Sequence, residues 1–327
     1  MTQPVLGIDI SKASFDVVLK AEGKTSHAQF ENNPTGFKRL NGWLQKNKAN
    51  GVHACMEATG QYGDGLAEYL YQQGQQVSVV NPARIKAYGS SKLRRNKTDK
   101  ADAELIAEYC LRENPDVWSP PPASFKDLQA LVRRLEDLQS NYQQEANRMQ
   151  SGVSTAAVVE DLKAHLEYLG ERIEHTKRAI QEHIDAHPEL KRRQDLLVSI
   201  PGIGKLTAAK ILGEVRDVCE FDSARQLAAY AGVTPRRFVS GSSVHKKSRL
   251  SKMGNVNLRR SLYMSAISAK KHNPIVQAFC QRLLLAGLRP KEVICAAMHK
   301  LLHLVFGILK SGRSFDPLFL EKQVVTP

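Results

Sequence analysis

Acidic residues all but vanish from one long stretch of this sequence. Between Arg236 and Lys300 there are 14 Lys and Arg against a single acid, Glu292. The span therefore carries 14 − 1 = +13, against a formal net charge of +14 for all 327 residues. A surface so poor in counter-charge cannot neutralise itself, and it calls for a polyanionic partner. Cysteine is also scarce. The five thiols (Cys55, Cys110, Cys219, Cys280, Cys295) are odd in number and widely scattered, with no CxxC or Cys/His spacing. That argues against a disulfide framework and a zinc site, and for reduced thiols in a cytoplasmic protein. The N-terminus shows no signal-peptide pattern. Uninterrupted hydrophobic runs are missing too. The longest apolar stretch, Val293 to Leu309, is broken by His299, Lys300 and His303, which suits a core helix better than a membrane span.

What is present begins with short runs bounded by turn residues. Residues 4–9, 14–20 and 25–30 read as strands, with Gly23 and Lys24 at a turn. The first link, Ile10 to Ala13, is too short for a parallel crossover, so these three strands are antiparallel. A helix follows from Pro34 to about Lys48, then a strand over Val52–Met56, a helix from Tyr62 to Gln73, a buried strand at Val77–Val80, and a helix opening near Pro82. The order βββαβαβα predicts an α/β domain with a mixed sheet, the arrangement of an RNase H-like nuclease. Four acids stand in special places on this frame. Asp9 and Glu57 each end an apolar run, at the rim of a sheet. Asp99 and Asp102 are three apart on one helix face. Carboxylates so placed can hold divalent cations against a phosphodiester. The plainer alternative makes them ordinary strand-end and helix-start acids, with Asp99 following Thr98 where a carboxylate is favoured by about 0.3–1 kcal/mol.

A basic stretch containing Arg94, Arg95 and Lys97 precedes the Asp99 helix and suits a phosphate backbone. Pro120-Pro121-Pro122 then breaks the chain. Beyond it, Leu128, Leu131, Leu135 and Leu138, and later Leu166, Leu169, Ile173, Thr176 and Ile180, form heptad-like seams on two long charged helices. This predicts a projecting coiled-coil hairpin, against the alternative of two ordinary bundle helices. After His187-Pro188 comes Ser199-Ile200-Pro201-Gly202-Ile203-Gly204-Lys205 between two helical patterns, a helix-hairpin-helix signature. Gly202 and Gly204 would let the backbone approach a phosphate, with Lys205 beside it; the alternative is a packing turn. The domains expected are thus 1–118, 123–187 and 190–327, the last mainly helical.

Within the basic span, Ser240 lies beside Gly241 in a segment read as flexible. Arg236 and Arg237 precede it, and Lys246, Lys247, Arg249 and Lys252 follow. A serine there can attack phosphorus while arginines offset the developing charge. Equally, Ser240, Ser242 and Ser243 suit a loop that only contacts phosphates.

These motifs together carry a resemblance over essentially the full length. Gly7-Ile8-Asp9, Met56-Glu57-Ala58-Thr59-Gly60, Asn96-Lys97-Thr98-Asp99 with Asp102-Ala103, the Pro-Gly-Ile-Gly turn, Ala231-Gly232-Val233-Thr234-Pro235-Arg236-Arg237, Ser240-Gly241-Ser242-Ser243 and Leu258-Arg259-Arg260 resemble the insertion-sequence transposases of the family numbered one-ten. The resemblance implies a RuvC-like domain whose DEDD acids, matched by Asp9, Glu57, Asp99 and Asp102, bind Mg²⁺. It also implies a C-terminal transposase domain in which Ser240 matches the nucleophile. It further implies donor and target DNA as substrates, a structured non-coding bridge RNA as guide, and homodimers that pair into a tetramer. The rival reading of the acids alone is a resolvase-like or RNase H-like nuclease using metal-activated water; a non-enzymatic nucleic-acid scaffold would leave them structural.

Overall fold

The computed structural model describes residues 3–58, 62–92, 98–215, 217–240 and 244–318, with backbone only over 236–240 and 244–249. The chain divides into two compact units, Met1–Pro120 and Pro121–Pro327.

Alternation of side chains builds the first unit. Strands β1 (Val5–Ile10), β2 (Ser14–Ala21) and β3 (Lys24–Glu31) run antiparallel. Glu22 and Gly23 join β2 to β3 with φ of 48° and 77°, the left-handed pair that a tight two-residue hairpin needs. Helix α1 (Pro34–Lys46) starts at Asn33, whose side chain accepts the Gly36 N–H. Strand β4 (His53–Glu57), helix α2 (Asp64–Gln72), strand β5 (Gln76–Val80), helix α3 (Pro82–Ser91) and helix α4 (Asp99–Glu113) complete the unit. The sheet order is β3-β2-β1-β4-β5, with β4 parallel to both β1 and β5. The expected mixed α/β sheet is therefore present, and β1 is its centre.

Strand parity sorts the core into two layers. Leu6, Ile8, Phe15, Val17, Ala54 and Met56 pack with Phe37, Leu40, Leu66 and Leu70 of α1 and α2. Val5, Val18, Cys55 and Val80 pack with Ile85, Ala103, Ile106 and Ala107 of α3 and α4 on the opposite face. Asp9 and Glu57 share parity with Val5 and Cys55, so both belong to the α4 face. Gly7 is what lets α4 settle there. A Cβ on Gly7 would run into the backbone of Ala103 and Ala107 and lie 2.7 Å from the Ala107 Cβ.

The second unit is mostly helical. Helices α5 (Ala123–Gln150) and α6 (Ala156–Asp185) pair along their length across a short link, hence antiparallel. Helices α7 (Pro188–Val198), α8 (Lys205–Glu214) and α9 (Ala224–Tyr230) follow, then an antiparallel hairpin of β6 (Pro235–Ser240) and β7 (Val244–Leu250). Helices α10 (Val256–His272), α11 (Pro274–Leu285) and α12 (Pro290–Ser311) end the described chain. Leu128, Leu135, Leu138, Leu169, Ile173 and Ile180 are buried as the heptad pattern expects, but in the same core as Ala208, Leu212, Leu262, Leu301 and Val305. Val132 also joins this core, and Gln129 donates to the Gly213 carbonyl at 2.9 Å. The helix pair is thus rooted in the unit rather than free along its length. Helix α12 is long and apolar enough to cross a membrane by composition, but Val293, Ala297, Leu301, Leu302 and Val305 are fully buried in the core, as the interrupted pattern suggested.

Candidate active site

Parallel strands β1 and β4 end at the same edge. Their register sets Ile8 beside Met56, so Asp9 and Glu57 come next, side by side at the carboxyl ends where open α/β sheets bind ligands. Both are half-buried. Helix α4 arrives over this edge. Thr98 caps it, its hydroxyl accepting the Ala101 N–H at 3.2 Å, and this leaves Asp99 and Asp102 in the first turn. Acids there are favoured by the helix dipole. Ala103, the residue after Asp102, packs on Gly7 together with Ala107.

Electrostatics report the convergence. The Asp9 carboxyl is pushed up from 3.8 to about 6, first by burial, then by the negative charges of Asp102, Asp99 and Asp16, against a hydrogen bond from the Ile10 backbone. The charges of three acids, two of them on a helix some ninety residues further along the chain, therefore reach the Asp9 carboxyl. Among the described residues, no group of three or more acids, histidines or cysteines closes into a metal-holding cluster. Asp99, Asp102 and Asp16 lie in electrostatic range of Asp9 without being drawn onto a common point. Their chemistry, oxygen donors with excess negative charge, suits a hard divalent cation.

Asp16 was missed by sequence reasoning. It pairs directly across from Asp9 on β2 and is buried. His27 Nε2 lies 2.7 Å from its Oδ1, and Gln29 Nε2 donates to Oδ2 at 2.8 Å. The signal was present in the β1–β2 hairpin register, which makes Asp9 and Asp16 cross-strand partners, but an acid inside a short strand reads as solvent-facing.

The other expected residues are placed as follows. Arg94, Arg95 and Lys97 lie outside the described residues, as do Thr59, Gly60, Ser242 and Ser243. Gly204 caps α8 with open space at its Cα, and Lys205 is exposed behind it. Gly202, at φ 104°, sits against α10, where a Cβ would come within 2.6 Å of the Ala269 backbone N. Close helix packing accounts for that glycine. Ser240 closes β6 and pairs with Val244; Arg236 and Arg237 are on β6, and Lys246, Lys247 and Arg249 on β7. The segment read as flexible up to Ser240 is a strand, because Phe238, Val239 and Val244 supply β-formers within a basic, serine-rich background.

The foot of this hairpin is firmly held. Backbone N–H groups of Ser251, Lys252 and Asn255 donate to the carbonyls of Thr234, Gly232 and Tyr230. Arg259 Nη1 donates to the Ala231 carbonyl at 3.0 Å. Asn255 donates to the buried Glu214 carboxylate at 2.6 Å, while Arg133 of α5 reaches the other carboxylate oxygen at 3.3 Å.

The IS110-type DEDD transposase family matches residues 6–157, and the transposase IS116/IS110/IS902 family matches residues 194–281. The chain is 35% identical over 320 residues to a pilin gene-inverting protein of Moraxella bovis, covering 97% of this chain and 98% of that protein.

The chain belongs to the IS110 family of transposases.

A transposase for insertion sequence element IS1328 of Yersinia enterocolitica is 27% identical over 295 residues, covering 77% of this chain and 82% of that one. The IS110-family chain is accordingly an enzyme, a DNA transposase or recombinase of an insertion sequence. The DEDD type of its first family match goes with divalent-metal use in general.

Proposed function

We propose that this transposase cuts and rejoins DNA by Mg²⁺-dependent phosphoryl transfer with Ser240 as nucleophile, guided by a structured RNA. The observation that carries the metal half is the Asp9 carboxyl, pushed up to about 6 among Asp102, Asp99 and Asp16 with Glu57 next in register. Excess negative charge at a sheet edge is costly unless a cation or protons relieve it. Asp9, Glu57, Asp99 and Asp102 are the residues that would hold Mg²⁺, which when bound would neutralise charge on the scissile phosphate. The sheet order and polarity support the RNase H-like, RuvC-like assignment of residues 1–118.

In the second half, the Ser240 Oγ forms a bond to phosphorus, its proton is lost, and a DNA oxygen leaves as a hydroxyl. The phosphoserine diester keeps the bond energy, so a DNA hydroxyl can reverse the step on a new strand without outside energy. Arg236 and Arg237 precede the serine on its own strand and offset charge developing on the phosphate. Lys246, Lys247, Arg249 and Lys252 continue the basic surface for donor and target DNA. The role of Ser240 rests on family resemblance, as do the bridge RNA and the dimer-and-tetramer assembly; the heptad seams support α5 and α6 as a coiled coil over 123–187, and the scattered thiols support a cytoplasmic setting. The Moraxella relative, named for inverting a pilin gene, supports inversion of a DNA segment as one outcome of the same chemistry.

The test is a plasmid recombination assay with the guide RNA supplied. Wild type recombines with Mg²⁺ and forms a protein–DNA adduct on a denaturing gel, whereas Ser240→Ala forms none and keeps RNA binding. An adduct in Ser240→Ala moves the nucleophile to Ser242 or Ser243. Cleavage with no adduct in wild type under trapping conditions replaces the serine with metal-activated water.

A further inference from the structure

Helix α10 turns an unusual face to solvent. Val256, Arg260, Tyr263, Met264, Ile267 and Lys271 are all exposed, and helical geometry at about 100° per residue puts them within one arc of ~100°. Leu258, Leu262, Ala266 and Ala269 fill the buried side, so the exposed apolar groups are not the core face misread. Met264 is 68% exposed, Tyr263 45%, and Met253, just before the helix, 59%. Single exposed apolar residues are ordinary, but a contiguous stripe of them marks an interaction surface. This one spans about 22 Å at 1.5 Å per residue.

Charge decides the occupant. Cations Lys252, Arg260 and Lys271 sit in and beside the stripe, while α10 and α11 contain no acid. In a two-fold contact between copies of this face, cations would face cations, since α10 holds no acid to answer them. An apolar peptide would leave them equally unanswered. An aromatic ring between cations, flanked by the apolar side chains of Met264 and Ile267, instead suits bases that stack while their phosphates meet Arg and Lys. Paired bases in a duplex do not offer their faces, so the strand must be unpaired. Arg259, by contrast, is spent on the Ala231 carbonyl and does not belong to this surface.

We propose that the outer face of α10 is a stacking platform for unpaired nucleotides, centred on Tyr263 with Arg260 and Lys271 on the phosphates. It deepens, and rests on, the reading of the chain as a recombinase of nucleic acid, but needs neither the acids nor Ser240. Unpaired strands arise both in RNA loops and in DNA during exchange, and the chemistry is shared.

The experiment is fluorescence anisotropy of the full chain, carrying Ser240→Ala and kept in EDTA, so that failure of the cleavage chemistry cannot affect it. The probes are oligo(dT), oligo(U) and a duplex DNA of about 20 nucleotides, longer than the ~4–16 nucleotide footprint of comparable surfaces. Tyr263→Ala weakens binding of unpaired strands about tenfold, within the range for loss of one stacked base, leaves the duplex unchanged, and Tyr263→Trp restores affinity. Arg260→Gln with Lys271→Gln lowers the salt slope on single strands by about 1.4, at ~0.7 per phosphate. A loss on oligo(U) alone assigns the platform to RNA, and on both probes to either source. Unchanged affinity in Tyr263→Ala, or equal loss on duplex and single strands, overturns the proposal. So does a fall in sedimentation mass with nucleic-acid affinity intact, which would make the face an interface between copies.

Discussion

Replacing Asp9 by asparagine should make this protein more stable and inactive. The folded Asp9 carboxyl titrates at about 6 instead of 3.8. Below about pH 4 it is protonated in both folded and unfolded chains and has no effect. As pH rises from about 4 to about 6 the unfolded chain ionises first, so the folded state binds more protons and stability declines. Above about pH 6 the loss is complete and constant. The full difference corresponds to about 3 kcal/mol, and partial exposure to water reduces it to about 1–2 kcal/mol. For a unit of this size that is an apparent Tm gain of roughly 4–8 °C for Asp9→Asn at pH 7 without divalent ions. The assay is thermal unfolding by circular dichroism from pH 4 to 7.5, in EDTA and in excess Mg²⁺. Wild type should lose stability across pH 4–6 in EDTA and regain it with Mg²⁺; Asp9→Asn should show neither response and no recombination. A variant less stable than wild type at pH 7 in EDTA would refute the claim that like charges are held together at this edge.

Other variants test the frame around the sites. Gly7→Ala pushes a Cβ into the α4 backbone at Ala103 and Ala107, where nothing flexible can yield; it should cost about 3 kcal/mol by chemical denaturation and lower recombination through displaced Asp99 and Asp102. Gly202→Ala combines a φ of 104° with a contact 2.6 Å from the Ala269 N, and should cost about 2–4 kcal/mol by the same measurement. Asn255→Ala removes both the cap on the Leu258 N–H and the bond to Glu214; about 2–3 kcal/mol of destabilisation is expected, with hydrogen exchange rising first at the foot of the β6–β7 hairpin. Unchanged exchange there would mean the Glu214 contact does not brace it.

The sheet was legible because most of its strands are short, largely apolar runs and its turns carry Gly23 and the Asn81-Pro82 signal. Asp9 and Glu57 could be found because each ends such a run. Asp16 could not, since its burial depends on His27 and Gln29 of a strand whose own residues are mostly polar. The heptad leucines showed that α5 and α6 pair, but the contact of α5 with α8 runs through Val132, Gly213 and Gln129, residues of no distinctive type. The two glycines of the Pro-Gly-Ile-Gly turn looked equivalent. Only tertiary packing separates Gly202, pressed on α10, from Gly204, open at the start of α8. The β6–β7 hairpin was hidden by its composition, because cations and serines outnumber the few residues that favour extended backbone.

The seat of α4 on Gly7 sets a tolerance for the whole acid set. One wall of that set belongs to the sheet and the other rides on a helix delivered much later in the chain, yet the gap between them is fixed by the thickness of two alanines and a bare α-carbon. Wherever that gap is widened, the helix that carries Asp99 and Asp102 lifts away from the strand ends that carry Asp9 and Glu57.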